Sequence, residues 1–320
     1  MVSQPVLIRR MLGRRGTFLL RRIASNIAYY TGHYEYANFT SRQNGISALM
    51  CTYNEEDWVE PAVLSIKNLV DEYVIVDSST DRTPEIINDV KNEHGLNIKL
   101  LRVPPGDIVR ARTAALENSS FKWLLFFDAD MVLHERAVKA VKELTESLDP
   151  RRHYIVYWKY LLLCGDLNHL CGEEPYHVER WLITYSSRLR YRYLDYGRGV
   201  AMDYLYAPLR LYKPILLDEV LGVHLTRVRT PEKLAMKHIR LEHRKLLVEH
   251  TMRGLTAEEA VSRIARETYG TDDLRELGEK LIRDMTFMLP RYDESRYGPL
   301  PQVLLNYVKN NKPLNINSTG

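Results

Sequence analysis

Two carboxylates one residue apart, Asp128 and Asp130, follow an apolar run at residues 123–127. A run of this length fits a short strand that is buried on both faces. Carboxylate oxygens are the ligands that Mg²⁺ and Mn²⁺ prefer, and Mg²⁺ usually takes one or two carboxylates together with substrate phosphates. The pair therefore predicts a site for Mn²⁺ or Mg²⁺ at the end of this strand.

The elements that would position this pair come earlier in the chain. Three more apolar runs begin at residues 46, 73 and 98, and helical patterns lie between them. Strand and helix alternating at this interval predict right-handed βαβ units and a parallel sheet. Ligands of such sheets bind beyond the carboxyl ends of the strands. The residues that follow each run are therefore the candidates for one common site.

These residues also have simpler structural interpretations. Asn54 could cap the helix that follows it, and Thr83 could cap the next one. Asp77 lies in a polar turn, although it could also accept a hydrogen bond from a base or a ribose hydroxyl. Arg110 and Arg112 follow the third run, where either could face a diphosphate or be a solvated surface charge.

Four segments, in order and at the right spacing, resemble the family 2 glycosyltransferases of the GT-A fold. They are Thr52-Tyr53-Asn54-Glu55, Asp77 with residues 79–83, Ala111-Arg112-Thr113 and Asp128-Ala129-Asp130. The resemblance covers residues 46–133 well and weakens from there to about residue 240. The second turn departs from it, since that turn is one residue short and lacks its usual Gly, and Thr113 stands where Asn is common.

The resemblance implies an α/β fold of the GT-A type, with a Rossmann-like, mostly parallel sheet flanked by helices. It implies transfer of a sugar from a UDP- or GDP-sugar to a hydroxyl acceptor, with inversion at the anomeric centre. Asp130 would bind the metal, and Asp128 would help through the ribose, the sugar or the metal. A cation there would stabilise the departing nucleoside diphosphate. The implied nucleotide-binding residues are Thr52, Tyr53, Asn54, Glu55, Asp77, Arg112 and Asp128.

Later residues are candidates for closing the site. By the same resemblance, His224 before a C-terminal helix is the expected third metal ligand, with a structural histidine as the alternative. Inverting transfer needs a general base. Asp203, which lies 21 residues before His224, is the first candidate, and Glu173 and Glu174 are the second. Glu179 and Asp195 are further acids in this region, and each of them could equally be a surface residue.

Other functions fit parts of the pattern. Retaining GT-A synthases that make sugar–phosphoglycerate-type compounds carry a similar acid pair and later histidine. Residues 127–133 also fit the opening motif of haloacid-dehalogenase-like phosphatases, but three strands precede the motif here and the later acidic pair is lacking. A non-catalytic nucleotide-binding module, in which the acids only cap helices, is the remaining alternative.

The composition is that of a globular protein, and a net charge of +4 over 320 residues gives no indication of nucleic-acid binding. No apolar run is long enough to span a membrane. Residues 1–30 hold six arginines, while Leu19, Ile23 and Ile27 share one helical face. This pattern fits a helix on anionic lipid or a helix packed on its own domain or a partner subunit. The expected location is cytoplasmic, with peripheral contact to the inner membrane face as an option.

The predicted organisation has a basic arm at 1–45, a catalytic domain at 46–228 and a helical region at 229–320 that ends in a mobile tail. The catalytic domain divides into a nucleotide-binding half at 46–133 and an acceptor half at 134–228. The helical region would cover the acceptor side or mediate a homo-oligomer. Cys164 and Cys171 flank a loop and could form a disulfide or, with His169 and His177, a zinc site.

Overall fold

The computed structural model describes residues 4–31, 42–149, 151–195, 201–208 and 211–310. The last ten residues, for which the sequence predicts a mobile tail, lie outside the described residues. The chain divides into two compact units. Unit 1 comprises Met1–Ala129, Leu133–Lys159 and Val178–Leu221, and unit 2 comprises Asp130–Val132, Tyr160–His177 and Gly222–Gly320. The predicted domain limits remain a prediction.

Strands and helices of the described residues follow the chain in this way. The strands are β1 (Gln43–Thr52), β2 (Glu72–Asp77), β3 (Ile98–Arg102), β4 (Phe121–Phe126), β5 (Met131–Leu133), β6 (His153–Cys164), β7 (Tyr176–Thr184), β8 (Arg190–Asp195), β9 (Ala201–Tyr206) and β10 (Tyr212–Arg227). The helices are α1 (Gln4–Tyr30), α2 (Val59–Ser65), α3 (Thr83–His94), α4 (Ile108–Glu117), α5 (Glu135–Ser147), α6 (Pro231–Glu242), α7 (Arg244–Met252), α8 (Ala257–Tyr269), α9 (Leu274–Met288), α10 (Glu294–Tyr297) and α11 (Gln302–Asn310).

Eight strands form one sheet in the order β3-β2-β1-β4-β7-β6-β10-β5, and β8 pairs with β9 in a separate two-stranded sheet. In unit 1, β1 is parallel to β2 and β4, and β2 is parallel to β3. The mixed α/β fold with parallel βαβ units is therefore confirmed. Thr52 pairs with Asp77, and Asp77 pairs with Arg102, so these three strands end in register.

Of the helices that cross between the parallel strands, α4 begins with a side-chain cap. Asp107 precedes α4, and its carboxylate accepts a hydrogen bond from the Arg110 backbone N–H at 2.9 Å. The prediction that Thr83 caps α3 is wrong by one residue, because Arg82 occupies the cap position. Thr83 Oγ1 instead accepts from the Glu55 backbone N–H at 2.9 Å, and so ties the loop after β1 to the start of α3.

One core cluster of unit 1 lies between the sheet and α4. It includes apolar side chains of β1, β2 and β4, among them Leu49, Val74, Val76 and Leu124, together with the small Ala111 on the inner face of α4. Burying an aliphatic side chain of this size stabilises a fold by about 1.5–3 kcal/mol. This packing holds α4 against the end of the sheet that carries the loops after β1, β2 and β4.

Helix α1 has a kink at Gly13, whose φ of 63° is a left-handed conformation that favours glycine. Its later part packs on unit 1, as one of the two alternatives predicted. Ser25 is buried and donates to the Leu211 carbonyl at 3.3 Å, and Tyr29 donates to Asp149 at 3.0 Å.

Unit 2 contains the helices after residue 230. His243 separates α6 from α7. Thr256 and Glu259 form a capping box at the start of α8. Helices α6 and α9 approach closely at Gly278, where an added Cβ would lie only 1.8 Å from the Pro231 carbonyl oxygen. Only glycine fits there without moving one of the two helices.

Cys164 and Cys171 form a disulfide in unit 2, with Cα atoms 5.1 Å apart. The first alternative for these cysteines is therefore confirmed and the zinc alternative is wrong. Among the described residues, no helix combines the length and the apolar character that a membrane crossing requires.

Candidate functional site

The loops after β1 and β2 are joined through Asp77, which is fully buried. Its Oδ1 accepts from Thr52 Oγ1 and from Ser79 Oγ, both at 2.6 Å, and its Oδ2 pairs with the Arg102 guanidinium. A buried carboxylate is tolerated when donors and a counter-charge surround it in this way. As placed, Asp77 organises three strand ends. Its contact with a nucleoside remains a prediction.

Asn54 connects the same two loops. Its φ of 56° is left-handed, which is uncommon outside glycine and is often found at functional sites. Its backbone N–H donates to Ser79 Oγ at 2.8 Å, and its Oδ1 accepts from the Thr80 N–H at 2.9 Å. Trp58, not Asn54, precedes α2. The capping interpretation of Asn54 is therefore wrong, and the structure brings residues 52–55 together with the turn after Asp77.

Arg112 lies between two carboxylates in unit 1. Its Nε is 2.8 Å from Asp203 Oδ2, and its Nη2 is 3.6 Å from Asp128 Oδ1. Helix α4 supplies the arginine, the segment after β4 supplies Asp128, and β9 supplies Asp203. These three predicted residues thus meet in one group, which we call the Arg112 group.

A cavity of about 140 Å³ opens beside the Arg112 group. Asp128 and Asp203 both line it, and their side chains are 37% and 28% exposed. Aromatic and acidic side chains complete the wall. They are Phe126, Glu179, Trp181, Tyr191 and Tyr204. The cavity therefore offers three carboxylates, two of them in the Arg112 group, together with one cation and an aromatic surface.

The charges of this group support one another. Burial alone would lower the pKa of Arg112, but the negative charge of Asp128, with that of Asp203, raises it above its usual value. Burial also raises the pKa of the nearby Cys51 thiol to about 12, so this cysteine is neutral at physiological pH. Arg112 is the permanent cation of the cavity.

Asp130 lies in unit 2 and is buried among cations. Its Oδ1 is 3.1 Å from His224 Nε2, and its Oδ2 accepts from Arg229 and Lys237, both at 2.7 Å. Burial opposes ionisation, but Lys237, His224 and Arg229 hold the pKa of Asp130 well below its usual value. The other side of His224 meets His177, with the two Nδ1 atoms 3.2 Å apart and the rings stacked. We call these residues the Asp130 group.

The predicted metal ligands Asp130 and His224 are thus neighbours, but the Asp130 group as placed does not fit a divalent cation. Both oxygens of Asp130 already face protein donors, and Arg229 and Lys237 are positive themselves. Coordination would require oxygen or nitrogen ligands in place of those cations. Among the described residues, no cluster of three or more His, Cys, Asp or Glu side chains is arranged to hold a metal ion.

The other predicted acids are dispersed. Glu173 and Glu174 are exposed residues of unit 2. Glu179 lines the cavity of unit 1, and the side chain of Asp195 lies outside the described part of the chain. Asp203 contacts Arg112, and Asp203 and Glu179 both line the cavity together with Asp128.

Sequence reasoning missed three residues that complete these groups. Arg102, Arg229 and Lys237 supply the counter-charges of Asp77 and Asp130. Only Arg102 had a usable signal, since it ends the strand predicted to lie beside that of Asp77.

Comparison with known proteins finds a family match for the part of the chain that includes the loops after β1 and β2. Residues 47–155 match the family model described as "Glycosyl transferase family 2". The resemblance to the family 2 glycosyltransferases that the four segments predict is thereby confirmed for these residues.

Two relatives match part of the chain. The chain is 34% identical over 97 residues to a poly-beta-1,6-N-acetyl-D-glucosamine synthase of Staphylococcus epidermidis, which covers 29% of this chain and 23% of the relative. It is 32% identical over 119 residues to an uncharacterized glycosyltransferase of Rickettsia bellii, with 37% of this chain and 38% of the relative covered. The chain therefore spans about a quarter to two fifths of the length of these relatives.

Solved structures with similar folds include S. aureus TarS 1–349 in complex with UDP-GlcNAc, at a TM-score of 0.40 and 17% identity, with 70% of this chain and 72% of that chain covered. Another is the mannosyltransferase PcManGT of Pyrobaculum calidifontis in complex with GDP-Man and Mn²⁺, at a TM-score of 0.39 and 15% identity, with 93% and 92% covered. At such TM-scores these likenesses add nothing about the chemistry of the present chain.

Proposed function

Since residues 47–155 form a glycosyl transferase family 2 region, we propose that the protein is a glycosyltransferase that moves a sugar from a nucleotide-sugar donor to a hydroxyl acceptor. The observation that carries the proposal is the Arg112 group, which sets two solvent-reaching carboxylates and a partly buried guanidinium around one cavity. Transfer of a sugar needs both kinds of charge, because the leaving group is anionic and the acceptor must lose a proton.

The donor would bind at the loops after β1 and β2. Thr52, Tyr53, Asn54 and Glu55 form the first loop, and its hydrogen bonds to the turn after Asp77 preorganise it. Preorganised polar groups bind a nucleotide without the entropy cost of ordering a loop. The donor is of the UDP- or GDP-sugar class.

Arg112 would bind the donor diphosphate, because a guanidinium presents parallel donors that match phosphate oxygens. The diphosphate would then compete with Asp128 and Asp203 for the same side chain. An exchange of this kind would release Asp203 from its 2.8 Å contact with Arg112. The base would thus become available only when a donor is present.

Asp203 would act as the general base. Its carboxylate takes the proton of the acceptor hydroxyl, the acceptor oxygen bonds to the anomeric carbon, and the bond from that carbon to the phosphate oxygen breaks. The nucleoside diphosphate leaves with the electron pair. One displacement of this type inverts the anomeric centre. Glu179, which lines the same cavity, is the replacement if Asp203 does not serve.

Dependence on Mn²⁺ or Mg²⁺ stays a prediction for Asp128, Asp130 and His224. The geometry of the Asp130 group gives it no support, and no step above requires a cation. A retaining GT-A synthase is the second enzyme candidate from the sequence, and the stereochemistry of the product decides between the two. The acceptor and the predicted homo-oligomer also remain predictions.

The test is a donor screen with the whole chain. UDP- and GDP-sugars are added singly, with EDTA or with Mn²⁺, and release of the nucleoside diphosphate is measured together with the thermal shift. We expect one donor to be hydrolysed slowly and to stabilise the chain by mass action. Turnover of simple phosphate esters with no response to any nucleotide sugar would instead indicate a phosphatase. Binding without any turnover across a panel of acceptors would indicate a non-catalytic module.

A further inference from the structure

Helix α1 carries an exposed apolar stripe on its outward side. Leu19, Ile27 and Tyr30 are 61%, 59% and 79% exposed, and Leu20 and Ile23 are about half exposed. At 3.6 residues per turn these five positions fall within about a third of the helix circumference. We call them the α1 stripe. Single exposed apolar residues are ordinary on protein surfaces, but a contiguous row of five on one helix marks an interaction site.

The opposite side of the same helix is fixed to unit 1. Phe18 packs on Tyr157 with ring centroids 4.8 Å apart, and Arg21 donates to the hydroxyl of the same tyrosine at 2.8 Å. Ser25 and Ala28 are buried on this side. The α1 stripe is therefore not the face by which the helix packs on unit 1, because the opposite face is already buried there.

Positive charge accompanies the stripe. The first 34 residues contain Arg9, Arg10, Arg14, Arg15, Arg21 and Arg22, and the first acid is Glu35. Arg22 is exposed beside the stripe. Burial lowers the pKa of Lys213, and the positive charges of Arg152 and Arg22 lower it further, so positive charge on this part of unit 1 extends beyond α1.

From the stripe, its anchored opposite face, the exposed Arg22 and the arginine-rich sequence of α1, we propose that α1 docks unit 1 on an anionic lipid surface, lying in the plane of the interface. An apolar face inserted at the headgroup boundary and a basic flank facing anionic headgroups are the two elements of such binding. The helix lies on the membrane and does not cross it, in agreement with the lack of a spanning helix among the described residues.

The charge and the apolar surface make separate contributions, which a binding experiment can resolve. Arginines near an anionic surface are each worth roughly a fewfold in partitioning and are screened by salt. Insertion of isoleucine side chains depends on apolar area and not on salt. Binding should therefore weaken, but not vanish, when the ionic strength is raised.

The test is sedimentation of the whole chain with vesicles of phosphatidylcholine alone or with added phosphatidylglycerol. We expect the wild-type chain to bind the anionic vesicles more tightly, by about tenfold or more. The double variant Ile23→Ser and Ile27→Ser should lose about tenfold or more of that binding. Arg22→Glu should lose about tenfold on anionic vesicles and show little change on neutral ones.

The matched control is the double variant Phe287→Ser and Met288→Ser in unit 2, whose side chains are 90% and 71% exposed. It removes as much exposed apolar surface and should bind vesicles as the wild type does. Equal loss in both double variants, or no preference for anionic vesicles, would overturn the proposal. So would a lipid-free dimer that the stripe variant abolishes, since the occupant of the stripe would then be a second copy. Nucleotide-sugar turnover in free solution, which the proposed function requires, should be the same in all these variants.

Discussion

Asp128 and Asp130 stand one residue apart in the chain, but they belong to different units and have different surroundings. In unit 1, Asp128 is 37% exposed and has one cation, Arg112, at 3.6 Å. In unit 2, the Asp130 side chain is 5% exposed and contacts Arg229, Lys237 and His224. An exposed acid can exchange partners with a ligand, whereas a buried acid with full hydrogen bonding mainly holds structure. Two identical residue types in one motif therefore have separate physical roles.

The first prediction tests the role given to the exposed acids. Asp203→Asn removes the base but preserves the shape of the side chain, so we expect the rate of transfer to fall by about 10²–10⁴-fold, with donor affinity retained. Single-turnover kinetics with the donor found in the screen would measure it. Glu173→Gln and Glu174→Gln are the controls. A loss in either control, with Asp203→Asn unchanged, would move the base into unit 2.

The second prediction tests the role given to the buried acid. Asp130→Asn leaves Arg229 and Lys237 buried or half-buried without their counter-charge, and we expect the free energy of unfolding to fall by about 3–5 kcal/mol. Asp128→Asn, whose partner pair is partly exposed, should cost less than about 1 kcal/mol. Urea unfolding followed by circular dichroism measures both. Equal losses of unfolding free energy in the two variants would show that Asp130 is no more important for stability than Asp128.

The third prediction concerns acid. The pKa of Asp130 is lower in the folded chain than in the unfolded chain, where it is about 3.9. Its contribution to stability is therefore complete above that value and is lost as the pH falls towards the folded-state pKa. The difference in free energy of unfolding between the wild type and Asp130→Asn should accordingly become smaller from about pH 6 to about pH 3. Urea titrations at both pH values measure it. A gap that is independent of pH would show that Asp130 is not held as the anion.

The fourth prediction has the smallest expected effect. Because protein groups already contact both oxygens of Asp130, Mn²⁺ without a nucleotide should shift the melting temperature by less than about 1 °C. A differential scanning measurement with Mn²⁺ and then EDTA tests this. A large reversible rise in the wild type that Asp130→Asn lacks would show that the metal displaces Arg229 and Lys237, and would restore the predicted metal site.

The sequence was most informative where local periodicity and spacing determine the structure. The four parallel strands and their helices were predictable, since each buried strand is a short apolar run and each helix has its own apolar spacing. The meeting of Arg112 with Asp128 followed from the resemblance. Strands β7 to β9 were not predicted from the sequence, because their charged and aromatic residues do not alternate in a simple way.

Partners far apart in the chain were the least predictable part of the site. Arg229 and Lys237 lie 99 and 107 positions after Asp130, and nothing local distinguishes them from the other basic residues of their segments. Without them, Asp130 and His224 have the appearance of metal ligands in the sequence. In the structure, Asp130 Oδ1 and His224 Nε2 lie 3.1 Å apart, but Arg229 and Lys237 also contact Asp130. Their positive charges do not fit a metal site.

The close approach of α9 to α6 at Gly278 has a consequence for the Asp130 group. Pro231, whose carbonyl oxygen lies where a Cβ of residue 278 would be, is two residues after Arg229 and opens the helix that bears Lys237. A single methyl group added at position 278 would displace the first turn of α6. Arg229 and Lys237 would then move away from the carboxylate of Asp130. The geometry of the Asp130 group thus depends on the absence of a side chain at Gly278 on α9.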